Sequence, residues 1–149
     1  MKFADMRPGQ IFDSPGRLIT QAEIIDFARR YDPQPFHIDP DSAATRHWGG
    51  LIASGWMTCA VAMSLCVEMM MKDSDSLGSP GIESVEWPQP VRPGDELRLR
   101  VEVLETRLSR TGRVGVAKWR WQMRNQTDTV VLRLVATALF NLAVGKAGP

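Results

Sequence analysis

The chain has 149 residues, 44% of them hydrophobic and 23% charged, with 18 Lys and Arg against 17 Asp and Glu. That length predicts one domain over residues 1–149, large enough for a core without metal or disulfide support. A net charge of +1 gives no overall field favouring nucleic acid or a membrane surface. The two cysteines, Cys59 and Cys66, are seven residues apart. On one helix that is about 10 Å along the axis, too far for a bridge. They read as reduced, buried small hydrophobes, which suggests cytoplasm. The N-terminal residues Met1 to Asp5 contain no apolar signal region.

Residues 1–19 read as an irregular start with turns at Arg7-Pro8-Gly9 and Ser14-Pro15-Gly16 and a short strand over 17–19. Thr20 to Glu23 has a capping-box pattern, which predicts a helix to about Tyr31 with Ile24, Phe27 and Ala28 on its apolar stripe. Pro33 and Pro35 then end the helix and predict an extended loop from Asp32 to His37. Asp39-Pro40 opens a short helical turn through Ala44, with Asp39 as its N-cap. His47 to Gly50 reads as a loop. From about Ile52 to Met71 a long helix is expected. Leu51 to Val67 carries no charge, but Ser54, Gly55, Thr58 and Ser64 make a helix enclosed by protein a better reading than a membrane span. Residues 72–81 read as a loop.

The period then changes to two. Leu97, Leu99, Val101 and Val103 alternate with charged residues, as do Ala117, Trp119, Trp121 and Met123 with polar ones, and 130–142 is nearly all apolar. These are strands joined by hairpin turns at 109–112 and 125–128. Antiparallel strands following one long hydrophobic helix indicate an α+β arrangement, and a helix apolar all round needs a curved sheet to wrap it.

The candidate chemistry lies before that helix. Asp32 and His37 put a carboxylate and an imidazole five residues apart on a stiff segment, in a chain with only two histidines. Such a pair moves protons; a capped turn with a structural histidine is the other reading. Gly55 either presents a free N–H at the start of a helix or permits close packing. Ser54 caps the helix or lines a pocket. Trp48 and Trp56 flank the segment as packing residues or pocket walls. The Met-rich stretch (Met63, Met69, Met70, Met71) reads as core or subunit contact, Arg107, Arg110 and Arg113 as a solvated turn, and His47 as a loop residue. Two histidines without ligand spacing argue against a zinc site.

The segment Tyr31 to Pro40 resembles the Asp-x-Asn-Pro-x-His signature of MaoC-like (R)-specific enoyl-CoA hydratases and dehydratases. Gly50 to Gly55 resembles the Ile-Ala-His-Gly segment that opens the family's central helix. Trp87 to Asp95 resembles its Pro-Val-x-Pro-Gly-Asp turn. Gln34 stands where the signature usually has Asn, and Ser54 where the hydratases usually have His.

The resemblance implies a hotdog fold, a curved antiparallel sheet around a long central helix. It also implies a hydro-lyase that adds water to a trans-2-enoyl thioester to give an (R)-3-hydroxyacyl thioester. Asp32 and His37 would hold and activate the water, the Gly55 N–H would stabilise the thioester oxygen, and Gln34, Ser54 and Trp56 would contact substrate. No cofactor or metal is implied beyond the CoA or acyl carrier of the substrate. The partners expected are the acyl thioester and further copies of the chain in a homodimer or higher homo-oligomer, with neither nucleic acid nor membrane. An acyl-CoA thioesterase on the same fold and a non-catalytic acyl-thioester binding subunit are the alternatives.

Overall fold

The computed structural model describes residues 1–142. Thr20 closes the expected capping box: its hydroxyl accepts from the Glu23 N–H, and the Glu23 carboxylate accepts from the Thr20 N–H. Helix α1 follows over Gln21–Tyr31 and buries Ile24 and Ala28. Two short helices come next, α2 (Pro35–Ile38) and α3 (Ala43–His47), and then the central helix α4 (Gly55–Cys66). The strands are β1 (Ile11–Asp13), β2 (Arg17–Leu18), β3 (Ser76–Glu86), β4 (Glu96–Leu108), β5 (Val114–Arg124) and β6 (Val130–Asn141).

Among the described residues the sheet is antiparallel in the order β1-β4-β5-β6-β3, with β2 added beside β4. The period-two segments form β4, β5 and β6 as expected. Their inward residues, among them Leu99, Val101, Trp119, Met123, Leu132 and Phe140, are buried. Met57, Val61, Ala62, Leu65 and Cys66 of α4 complete the same core. The sheet therefore wraps the helix, the architecture that the resemblance implies. Both predicted hairpins form, closed by Ser109 N–H to Val114 O and Asn125 N–H to Thr129 O.

Several expectations are corrected. The segment from Asp32 to His37 is not extended throughout: His37 lies on the single turn α2, because Pro35 sits at the start of the turn, where its missing N–H is no loss. The turn expected at 39–44 starts later. Ser42 caps α3 by accepting from Thr45 N–H, and Asp39 instead accepts from Asp41 N–H. His47 ends α3 rather than lying in a loop.

The central helix starts at Gly55, three residues later than expected, and its last turn, Val67–Met71, is a wider π-turn. Nor is it enclosed on all sides. Trp56, Ala60, Met63 and Ser64 form an exposed face in the single chain, and Cys59 is only half-buried. The loop expected over 72–81 is shorter, because β3 already begins at Ser76. Among the described residues no helix is long and apolar enough to cross a membrane.

Candidate active site

The C-terminus of α1 places Asp32. Its backbone N–H still bonds to Ala28 O, but Pro33 disfavours a helical conformation for the residue before it, so Asp32 turns out of the helix (φ −156°, ψ 67°). The α2 turn then brings His37 back beside it. His37 Nε2 lies 3.2 Å from Asp32 Oδ2.

The other ring nitrogen settles a proton. His37 Nδ1 is 2.7 Å from Ile52 O, a carbonyl that can only accept, so Nδ1 carries hydrogen. Nε2 is therefore the nitrogen that faces the carboxylate. At 3.2 Å the two atoms are close enough for a proton to pass between them. His37 is buried, and its ring meets Phe36 edge-on with centroids 4.5 Å apart.

Asp32 has further partners. Gln34 Nε2 donates to Oδ1 at 2.7 Å and Ser54 Oγ donates to Oδ2 at 2.7 Å. Burial pushes the Asp32 carboxyl pKa up, but the Gln34 and Ser54 hydrogen bonds and the adjacent His37 outweigh it. The net result lies below the ordinary value, and Asp32 is a carboxylate.

Gly55 is the first residue of α4, so its N–H has no acceptor within the helix. Ser54, the N-cap, takes the Trp56 N–H at 3.3 Å instead of Gly55's. Helix N-termini carry partial positive charge. A second constraint on Gly55 comes from Trp87, whose Nε1–H donates to Gly55 O at 2.9 Å. A Cβ at position 55 would meet the Trp87 ring at 2.5 Å. Glycine is thus demanded by close packing, against an indole from the segment after β3.

These groups open onto one cavity of about 550 Å³, within the range of small-ligand sites. Asp32, Gln34, His37, Gly55 and Trp56 all line it, so five of the six sequence-predicted site residues meet there. Ser54, the sixth, lies fully buried behind Asp32 and touches the cavity only through it. Trp87, Thr58 and Val131 line the cavity without having been singled out in the sequence. Trp87 had a visible signal, standing at the head of the Pro-Val-x-Pro-Gly-Asp-like turn. Thr58 and Val131 had none, since they read as ordinary core residues. Trp48, at the rim, is held by Arg92 Nη2, which donates to its carbonyl at 2.5 Å. Arg107, Arg110 and Arg113 are exposed and do not line the cavity. Among the described residues no group of three or more His, Cys, Asp or Glu side chains could hold a metal ion.

This architecture has known counterparts. The crystal structure of a MaoC-like dehydratase from Rhodospirillum rubrum superposes with a TM-score of 0.84 at 36% identity, covering 93% of this chain and 94% of that one. A Mycobacterium tuberculosis protein with a double hotdog fold gives a TM-score of 0.77 at 21% identity, covering 99% of this chain and 46% of that one, a likeness of fold alone. In sequence, the uncharacterized protein YdeM of Bacillus subtilis is 32% identical over 105 residues, 70% of this chain and 74% of YdeM. The 3-hydroxyacyl-thioester dehydratase Z of Mycobacterium tuberculosis is 37% identical over 82 residues, 54% of each protein. The fold is the hotdog fold. Residues 3–121 match the family described as MaoC like domain, a stretch running from the first turn into β5 and including every residue of the Asp32 cluster, and the chain belongs to that family.

Proposed function

We propose that this protein is a hydro-lyase that adds water reversibly to a trans-2-enoyl thioester, giving an (R)-3-hydroxyacyl thioester. The observation that carries the reading is the 3.2 Å contact between Asp32 Oδ2 and His37 Nε2 at the wall of a cavity shared with the first amide of α4. A carboxylate beside an imidazole places a base and an acid within one hydrogen-bond length. In the hydration direction Asp32 takes a proton from water as its oxygen bonds to the β-carbon. His37 Nε2–H gives its proton to the α-carbon, and transfer across the 3.2 Å contact restores the starting pair. The negative charge that develops on the thioester oxygen meets the Gly55 N–H. Each proton is accounted for, and the described residues act as one hotdog domain.

The substrate is an acyl thioester of CoA or an acyl carrier, with no other cofactor. Gln34 and Trp56 line the acyl cavity, and Ser54 acts behind it. Among the described residues no Lys or Arg side chain lines that cavity, so a second carboxylate on the acyl group would find neither as a partner there. An uncharged acyl chain fits. The relatives named a dehydratase and a 3-hydroxyacyl-thioester dehydratase point to the same chemistry.

The working unit is a homodimer. Among the described residues strand β3 pairs only with β6 and leaves its other edge open, and exposed Leu77 and Ile82 lie on it. An open edge of eleven residues is a template for a second copy. Two reduced cysteines suit a cytoplasmic location.

The test is incubation with crotonyl-CoA, following loss of the conjugated enoyl absorbance together with free thiol release. Loss without thiol supports water addition. Thiol release would identify a thioesterase. Neither signal across a panel of acyl chains would leave an acyl-thioester binding subunit.

A further inference from the structure

Ser54 has an unusual position for a helix cap. It is 0% exposed, and its hydroxyl is used twice. The oxygen accepts from Trp56 N–H at 3.3 Å, and the proton goes to Asp32 Oδ2 at 2.7 Å, across 22 residues of sequence. A hydroxyl has one proton to give, so this proton is committed to Asp32. Capping alone needs only an oxygen facing the helix and is met as well by Asp, Asn or Thr. It does not need a distant carboxylate.

The neighbouring residues show the same arrangement. Ile52, two positions earlier, offers its carbonyl to His37 Nδ1 at 2.7 Å. The segment is itself tied on both sides, by Ile52 N–H to Phe36 O at 3.1 Å and Ala53 N–H to Val91 O at 2.8 Å. One buried stretch thus holds the imidazole at position 52 and the carboxylate at position 54, and presents the Gly55 amide next.

We propose that Ser54 is a positioning residue for the water-addition chemistry: its hydroxyl fixes the Asp32 carboxylate beside His37 Nε2 and keeps that carboxylate ionised. The inference rests on the hydro-lyase reading of the site. The physical basis is that Gln34 and Ser54 both aim donors at Asp32. A carboxylate accepts both, whereas a protonated carboxyl gives up acceptor capacity to its own hydrogen. Among the described residues His37 is the one titratable group that bears on Asp32; Gln34 and Ser54 are neutral. Removing the serine donor therefore makes Asp32 easier to protonate, and protonated Asp32 cannot take a proton from water.

Ser54→Gly is the informative variant, because glycine is tolerated at N-caps and carries no hydroxyl. Ser54→Thr restores the hydroxyl. Two quantities are read for wild type and both variants: kcat/KM against pH with crotonyl-CoA, and the carbon-13 NMR titration of the Asp32 carboxyl, assigned through Asp32→Asn. Ser54→Gly is expected to lower kcat/KM about 10–100-fold, the worth of a hydrogen bond to a charged group. The acid limb and the NMR midpoint should rise together, and Ser54→Thr should return both toward wild type. An unchanged Asp32 titration in Ser54→Gly overturns the proposal, and so does lost activity with an unmoved acid limb; either makes Ser54 a cap only. If wild type turns over no enoyl thioester, the hydro-lyase reading fails and takes the catalytic half of the proposal with it. The NMR titration still decides whether Ser54 holds Asp32 ionised.

Discussion

Trp87 and Gly55 are locked together: the indole N–H donates to the glycine carbonyl at 2.9 Å, and the ring fills the space that a side chain at position 55 would need. The glycine at the head of α4 is thus explained by packing, whatever its amide does in the reaction. Trp87 also meets Trp56 edge-on, with centroids 5.4 Å apart, so a shift at position 55 passes directly into the cavity wall.

Gly55→Ala should therefore cost about 1–3 kcal/mol of stability through overpacking. Trp87→Ala removes the obstacle. A double-mutant cycle between the two positions, read by denaturant unfolding, should give a coupling of about 0.5–3 kcal/mol. Additive costs would show that the ring adjusts without strain.

Asp32→Asn and His37→Ala should each reduce crotonyl-CoA hydration by about 10²–10⁴-fold while leaving the circular dichroism spectrum of the fold unchanged. The double variant should be little worse than either single one, because the two residues act as a unit in the proposed proton transfer. Turnover near wild type in both single variants would remove the Asp32–His37 mechanism.

Asp32 also links stability to pH. Its folded-state pKa lies below the ordinary value, since hydrogen bonds and His37 outweigh burial. Its contribution is thus fully present above the unfolded pKa of about 3.9 and is lost as pH falls through the lower folded value. Asp32→Asn should flatten the fall in stability below about pH 4. Chemical unfolding at a series of pH values reads this directly, and identical slopes for wild type and variant would contradict it.

The two thiols should react poorly in the native protein. Burial pushes Cys66 up to about 12 and raises Cys59 as well. The thiolate is the reactive form, so at pH 8 a disulfide reagent should leave Cys66 unmodified and label Cys59 slowly. Both should titrate at once in denaturant.

The open β3 edge predicts association. Light scattering should give a dimer mass, and placing lysines at exposed Leu77 and Ile82 together should shift it toward monomer, since charge blunts edge pairing. A monomeric wild type would refute the dimer.

Much of the architecture follows from local pattern. Alternation along 97–103 and 117–123 defines β4 and β5, because inward side chains recur every second residue, and the nearly all-apolar run of 130–142 defines β6. Thr20 and Glu23 start α1 through bonds three residues apart. Such features need no knowledge of the rest of the chain. Strand β3 was not legible in this way. Its residues, Ser-Leu-Gly-Ser-Pro-Gly at the start, have no alternation, and both faces are largely exposed. It is a strand because β6 offers an unpaired edge, and Pro80 is tolerated because an edge strand has a side that needs no donor.

The sequence by itself determined the chemical types at the site: a carboxylate and an imidazole after α1, and a glycine before an apolar helix. Tertiary structure decided how they act. His37 reaches Asp32 through a one-turn helix, Ser54 aims its hydroxyl at a carboxylate 22 residues away, and Trp87 closes on Gly55 from the far side of β3. The physical reason is range. Spacing reports what neighbouring residues can do along one element, whereas hydrogen bonds between elements exist only once the sheet has wrapped the helix and fixed their separation.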